Sequence, residues 1–492
     1  MTTCSLTLRS LALASLGCTL AGCAVGPNFV KPKPDVPTQW SGTALGNGTE
    51  GSAHVTSEHA QTAAWWSSFN DPKLTALVQQ SAAQNLDVRQ AALRIEEAQA
   101  EAAVATGDLW PSVTTNASWS RQRLSTNTPN GAIFGLHFPG LPPTLVNPYN
   151  QYQLGLSASW TLDLFGTARR SVEAANAEMQ AAVEGGHAAL LSMVSDVAAT
   201  YIDLRGAQSR RAILERSLAT QRDLLQLTRD RRNAGLTSDL DVENATAEVG
   251  TTQAEVPLAD KEITLDINEL SQLMAKPPEA LRAELGEEQP VPPVPPVVPI
   301  GLPSDLARQR PDIRQAEANL HAATAEIGVA VSAYFPKLTL TAAGGFQSEG
   351  LSQLVATASH FASLGPAIEL PIFEGGRLRA TVRLQRVKEK EAAVAYAQTV
   401  LGALNQVEDA LAAYGADQAR RDSLETAVKA SRNARLLARQ RYQSGVASFI
   451  DVLDAERTEE QNEVSLADAT TAVSADLVQL YRALGGGWGE PR

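Results

Sequence analysis

The chain has 492 residues, enough for a large core or several domains. Its formal charge of -13 comes from 41 basic and 54 acidic residues, and no concentrated basic patch offers a nucleic-acid surface. Cys4, Cys18 and Cys23 are its only cysteines, so the body beyond them has no disulfide and no cysteine metal site, and the six scattered histidines form no HExxH motif.

At the start, Arg9 precedes an apolar run, 11–20, too short to span a bilayer as a mature helix. The run ends in Leu20-Ala21-Gly22-Cys23, which resembles a lipobox, the bacterial lipoprotein signal cut just before the cysteine. Residues 1–22 therefore read as a signal peptide and Cys23 as the acylated residue. Acyl chains would anchor the chain by roughly 0.8 kcal/mol per buried CH2. Ala24, not Asp, follows the cysteine, a pattern that resembles release to the outer membrane. Pro27, Pro32, Pro34 and Pro37 keep the next stretch extended, and 23–62 reads as a tether. Trp65 and Trp66 open the ordered part.

Residues 74–104 read as a helix, with Leu77, Val78, Leu86 and Leu93 spaced for packing. Gly107 ends it before "LWPS", 109–112. A weakly alternating stretch, 113–120, is followed by a Gly/Pro/Asn-rich loop, 127–150. Then Tyr152, Leu154, Leu156, Ala158, Trp160 and Leu162 alternate with smaller polar residues and share one strand face. A proline-free helix from 168 to 232 would extend about 97 Å at 1.5 Å per residue, and a shorter return helix covers 239–276. The second half repeats this order: helix 305–333, "YFPK", an alternating stretch, a Gly/Ser loop, "LGPAIELPIFEGG", a long helix 377–442 and a return helix 451–484. Matching motifs in one order, about 208 residues apart, read as an internal duplication. The repeats take 63–276, with a strand hairpin at 113–163, and 304–484, with a hairpin at 337–371. The Pro-rich 277–303 between them excludes a continuous helix or a central strand and reads as an extended crossover. Residues 485–492 read as a flexible tail.

A lone strand pair cannot bury its own apolar face. The strand lengths suit a bilayer, and a sheet in lipid must close. These lengths predict that several chains close one barrel, twelve-stranded if three chains contribute four strands each. The competing reading is a small soluble sheet packed on the helices. Apolar positions such as Leu190, Val194, Val197, Tyr201 and Leu204 fit lateral packing of the long helices.

The turns between the long helices and their return partners are alike. Aligning Gly445 with Gly235 puts Asp451 on Asp241 and Val452 on Val242. A residue without Cβ lets the chain reverse tightly. The acid six residues on sits near a new helix N-terminus, where capping alone would explain it. Asp451 and Asp454 are i,i+3 and share a face. An enzymatic reading of these acids lacks a partner base, a metal cluster or a phosphate loop.

Several motifs together resemble the outer membrane factor family, the TolC/OprM type of efflux channel, in its NodT-like lipoprotein branch. They are Leu20 to Cys23 with "VGPNFVKP", "WTLDLFG" from Trp160, "LARQRPDIRQAE" from Leu306, "YFPKL" from Tyr334, "LPIFEGGRLRA" from Leu370 and "RYQSGVASFIDVLDAE" from Arg441. The resemblance implies a mixed α and membrane-β fold. A trimeric, long α-helical barrel in the periplasm would continue into a transmembrane β-barrel, making the protein lipid-anchored and membrane-spanning in the Gram-negative outer membrane. It implies a homotrimer that meets a periplasmic adaptor and an inner-membrane RND-type pump, touches outer-membrane lipid, and exports drugs or other small molecules without a cofactor or chemistry of its own. Gly235 and Gly445 would be turns at the periplasmic tip. Asp241, Tyr442, Asp451 and Asp454 would form the gate, the acids repeating as rings by symmetry. The family's gate arginine, two residues after the turn glycine, is replaced here by Ala447. A channel for metal cations or secreted proteins would share this body, and a non-conducting structural lipoprotein is the remaining alternative.

Overall fold

The computed structural model of the chain describes residues 24–33, 36–41, 54–56, 64–125, 127–128 and 148–488. Cys23 and the signal segment lie outside the described residues, as do most of the tether and of the 127–150 loop. Helix α1 is Pro72–Gln84, α2 Leu86–Gly107, α3 Thr167–Asn233, α4 Asp239–Leu273, α5 Pro311–Ser332, α6 Arg377–Gln443 and α7 Phe449–Ala483. The strands are β1 (His54–Thr56), β2 (Ser112–Gln122), β3 (Tyr149–Leu162), β4 (Val297–Pro299), β5 (Lys337–Ser348) and β6 (His360–Glu369). The duplication is plain in the lengths. α2 and α5 each have 22 residues, α3 and α6 each have 67, and α4 and α7 each have 35.

The chain folds as two compact units. One comprises the described residues up to 31 with 97–179 and 318–393, the other 32–96, 180–317 and 394–488. In the first unit, β2, β3, β5 and β6 form one antiparallel sheet in that order. The two halves of the duplication join at β3 and β5, where Gly155 faces Gly345. A Cβ on Gly345 would stand 2.2 Å from the Leu154 carbonyl oxygen, so this join requires its glycine.

This sheet corrects the expected architecture. Among the described residues it is open: β2 and β6 are edge strands with one neighbour each, and no closed barrel is formed. The fold is mostly α-helical with duplicated, very long helices, and the strands do not make the membrane-spanning barrel that their lengths suggested. Period and length determine which side chains share a face, but closure depends on what pairs with the two outer edges, and nothing in the strand pattern encodes that. The expected placement across the membrane thus has no closed barrel among the described residues to carry it. Among the described residues no helix is long and apolar enough to cross a membrane.

The stretch after Cys23 docks on the first unit. The Val25 amide donates to the Phe165 carbonyl at 3.1 Å. Arg170 donates through Nη2 to Asn28 Oδ1 at 2.7 Å and through Nε to the Val25 carbonyl at 3.3 Å. Phe29 stacks on His321 with ring centroids 4.4 Å apart. A Cβ on Gly26 would lie 2.5 Å from Gly328 Cα, so two glycines let the backbones touch.

The second unit holds the main core. Val194, Val197, Tyr201 and Leu204 of α3 are buried against Leu477, Val478 and Tyr481 of α7 and against Trp65 and Phe69. Trp65 stacks on Tyr481 at 5.2 Å. Asp71 caps α1 by accepting from the Lys73 and Leu74 amides, and it also accepts from the Tyr201 hydroxyl at 2.9 Å. The Pro-rich crossover lies against this core. Its Glu287 and Leu285 carbonyls accept from Arg205 and Gln208, at 2.8 and 2.7 Å, and the Pro292 carbonyl accepts from Ser474 at 3.0 Å. Trp488 stacks on His187 at 4.4 Å.

Candidate functional site

The two turns belong to the second unit and share one construction. At the end of α3 the Gly235 amide donates to the Arg232 carbonyl and the Leu236 amide to the Arg231 carbonyl, at 2.9 and 2.8 Å. At the end of α6 Gly445 and Val446 donate to Tyr442 and Arg441, both at 3.0 Å. This pairing closes a helix only when the residue after the cap is left-handed. The φ values are +74° at Gly235 and +77° at Gly445. Nothing lies within 4 Å of a Cβ built on either, so backbone conformation alone demands glycine.

Each return helix then opens on a reciprocal serine–aspartate brace. Ser238 and Ser448 are the N-caps of α4 and α7, with Asp241 and Asp451 at the third helical position. The Asp241 amide donates to Ser238 Oγ at 3.4 Å and the Ser238 amide returns to Asp241 Oδ2 at 3.3 Å. Asp451 repeats the pattern and also accepts from Ser448 Oγ at 2.8 Å. The Ser448 hydroxyl and amide, with the charge of Arg441, hold the Asp451 carboxyl below the usual carboxylate range. Both aspartates are therefore committed to their own helix starts. Asp454 lies one turn further along the exposed face of α7, and its charge favours the charged form of Arg457.

Tyr442 meets none of these carboxylates. It is 3% exposed, beside Phe449, Val452 and Leu453 of α7 and Leu224 and Leu225 of α3. Its ring meets Phe449 edge-on at 6.0 Å, and its hydroxyl is buried without a hydrogen-bond partner. Arg231 covers the other side. Its Cζ stands 4.5 Å from the Tyr442 ring centroid, and its Nη1 donates to the Tyr442 carbonyl at 3.0 Å. One arginine thus ties the end of α3 to the end of α6 by a cation–π contact and a charged hydrogen bond. Further along, Arg457 of α7 donates through Nε to Glu248 of α4 at 2.7 Å.

Arg231, Glu248 and Arg457 carry links between the two helix pairs near the turns, and sequence reasoning did not single them out. Arg231 aligns with Arg441, so its type and position give no hint of a different role. Only the burial of Tyr442 distinguishes them. Among the described residues no cluster of ligating side chains could hold a metal ion.

Two duplicated helical hairpins with braced turns make a body of the efflux-channel class, and comparison with known proteins agrees. The model of the outer membrane efflux protein family matches residues 77–276 and 302–486. Nodulation protein T of Rhizobium leguminosarum bv. trifolii is 32% identical over 480 residues, 95% of each chain. The toluene efflux pump outer membrane protein TtgC of Pseudomonas putida is 31% identical over 499 residues, covering 99% of this chain and 97% of that one. The solved structure of the outer-membrane channel OprN superposes with a TM-score of 0.85 at 34% identity, over 95% of this chain and 100% of the other. The chain belongs to the outer membrane efflux protein family. Its function is passive efflux through an outer-membrane channel, and it is not an enzyme.

Proposed function

We propose that three copies of the chain assemble around one axis, in the manner of the NodT-like lipoproteins, with Cys23 acylated and held in outer-membrane lipid. The assembly meets a periplasmic adaptor and an inner-membrane RND-type pump, which supplies the energy. The cargo is drugs or other small organic molecules. The names of similar proteins support this, because they include toluene, solvent and antibiotic efflux pumps.

In this reading the two turns form the periplasmic tip and the gate. The link from Arg231 to Tyr442 carries the proposal, because it joins the two helix pairs where they end. Closed, the pairs are held by Arg231 on Tyr442 and Arg457 on Glu248. Opening separates them, and adaptor binding shifts the balance between the two states. Three-fold repetition of Asp241, Asp451 and Asp454 makes rings that attract cations and disfavour anions.

Bilayer recordings in a salt gradient test the acidic rings. The wild-type channel should show low, cation-preferring conductance. Asp451→Ala with Asp454→Ala should raise conductance and lose the preference, and unchanged conductance and selectivity would sink the ring proposal.

A further inference from the structure

Glu456 is a buried acid that the gate reading does not use. It lies on the second turn of α7, is 5% exposed, and neither carboxyl oxygen has a hydrogen-bond partner. It faces a polar cavity of about 250 Å³ between α3, α6 and α7.

Most of the charges around it are engaged elsewhere. On α6, Arg435 pairs with Glu459 and Arg432 with Glu463. From α4, Glu248 holds Arg457. On α7, Glu460 accepts from Gln221 Nε2 of α3 at 2.8 Å. Arg216 of α3 lines the same cavity, and Arg439 of α6 attracts the Glu456 carboxyl electrostatically. A carboxylate stripped of water and hydrogen bonds is far costlier than a neutral carboxyl in the same place.

We propose that Glu456 is a proton-binding site that sets how tightly the first turns of α7 pack against α3 and α6. Protonated, it fills its place as a neutral group. Ionised, it needs water or an arginine. It gains either if the cavity opens further to water, if Arg439 or Arg216 turns towards it, or if Arg435 leaves Glu459. The site rests on the packing of α7 alone, and its bearing on conduction rests on the gate reading.

Burial pushes the Glu456 carboxyl up to about 7, with Glu459 and Glu248 adding and Arg439 and Arg435 opposing. An acid raised in the packed state favours packing at low pH. That advantage shrinks as the pH rises from the ordinary value of 4.5 towards 7, then levels off. The equilibrium for local opening should therefore grow by up to about tenfold per pH unit across that window.

Hydrogen exchange of the full chain in detergent tests this, read as protection factors so that the intrinsic pH dependence cancels. Protection of 449–463 should fall between about pH 5 and pH 7 in the wild type and stay flat in Glu456→Gln, which keeps the shape and removes the charge. The same fall in Glu456→Gln would assign the proton to another acid, such as Glu460, and overturn the proposal, as would flat protection in the wild type. A second readout is the infrared carbonyl band of protonated carboxyls, taken as the wild type minus Glu456→Gln because Asp266 and Asp476 are also raised into this window. A difference band should titrate between about pH 5 and pH 7, and no difference near pH 5 would overturn the proposal. Both readouts report on the site whether or not the turns form a gate.

Discussion

The two turns have the same backbone and opposite chemistry. Both use a left-handed glycine and a serine–aspartate brace. Seven residues apart across the first turn, Arg232 Nε meets Asp239 Oδ1 at 2.6 Å as an exposed ion pair. The equivalent positions in the second turn are Tyr442 and Phe449, an aromatic pair buried in a local core. Leu240 and its equivalent Ile450 are both exposed, but Val242 after the first turn is only half-buried whereas its equivalent Val452 is fully buried after the second. Duplication preserved how the chain reverses and let the two copies diverge in what they touch. One turn faces water, and the other holds the helix pairs together.

Substitution should expose that asymmetry. The largest effect is expected from Phe449→Ala, which removes a buried ring and should destabilise the second unit by about 3–5 kcal/mol. Denaturant unfolding measures it, and a loss no greater than that of Asp239→Ala would erase the distinction between the turns. Gly235→Ala and Gly445→Ala should cost about 1–2 kcal/mol each, because both residues are left-handed with open space around them. Unequal costs would mean that the backbones are not equivalent.

Next come the braces. Ser238→Ala and Ser448→Ala should each cost about 1 kcal/mol. Because the Asp451 carboxyl is held below its ordinary value of 3.8, its brace is in full force above that pH and is lost as the pH falls through the lowered value. Hydrogen exchange at the start of α7 should show no titration of Asp451 near neutral pH and respond to its protonation only in stronger acid. The smallest effect is expected from Arg232→Ala, since exposed ion pairs often contribute nothing measurable.

Much of this was legible in residue order. The run expected to be helical from 168 to 232 spans Thr167–Asn233, and the 377–442 run spans Arg377–Gln443. Long stretches without proline, ended by a glycine and restarted by a serine, leave little freedom. Pro257 shows where local rules yield, because α4 passes through it without a break in helix. What residue order did not disclose depends on neighbours distant in the chain. Strand alternation was visible, but the open edges of β2 and β6 were not. Tyr442 drew attention only as a gate residue by resemblance; that its ring lies under Arg231, 211 positions away, was not visible. Glu456 reads as one acid in an acidic helix, and only packing from three sides shows that it has no partner.

We propose that the ends of the helix pairs hold the channel closed and that Arg231 fastens them. Single-channel recording of Arg231→Ala beside the wild type, with Arg232→Ala as the neighbouring control, tests it most directly. Arg231→Ala should show higher conductance or longer openings, and Arg232→Ala should behave as the wild type. Wild-type conductance in Arg231→Ala, from protein shown to be folded and inserted, would contradict it.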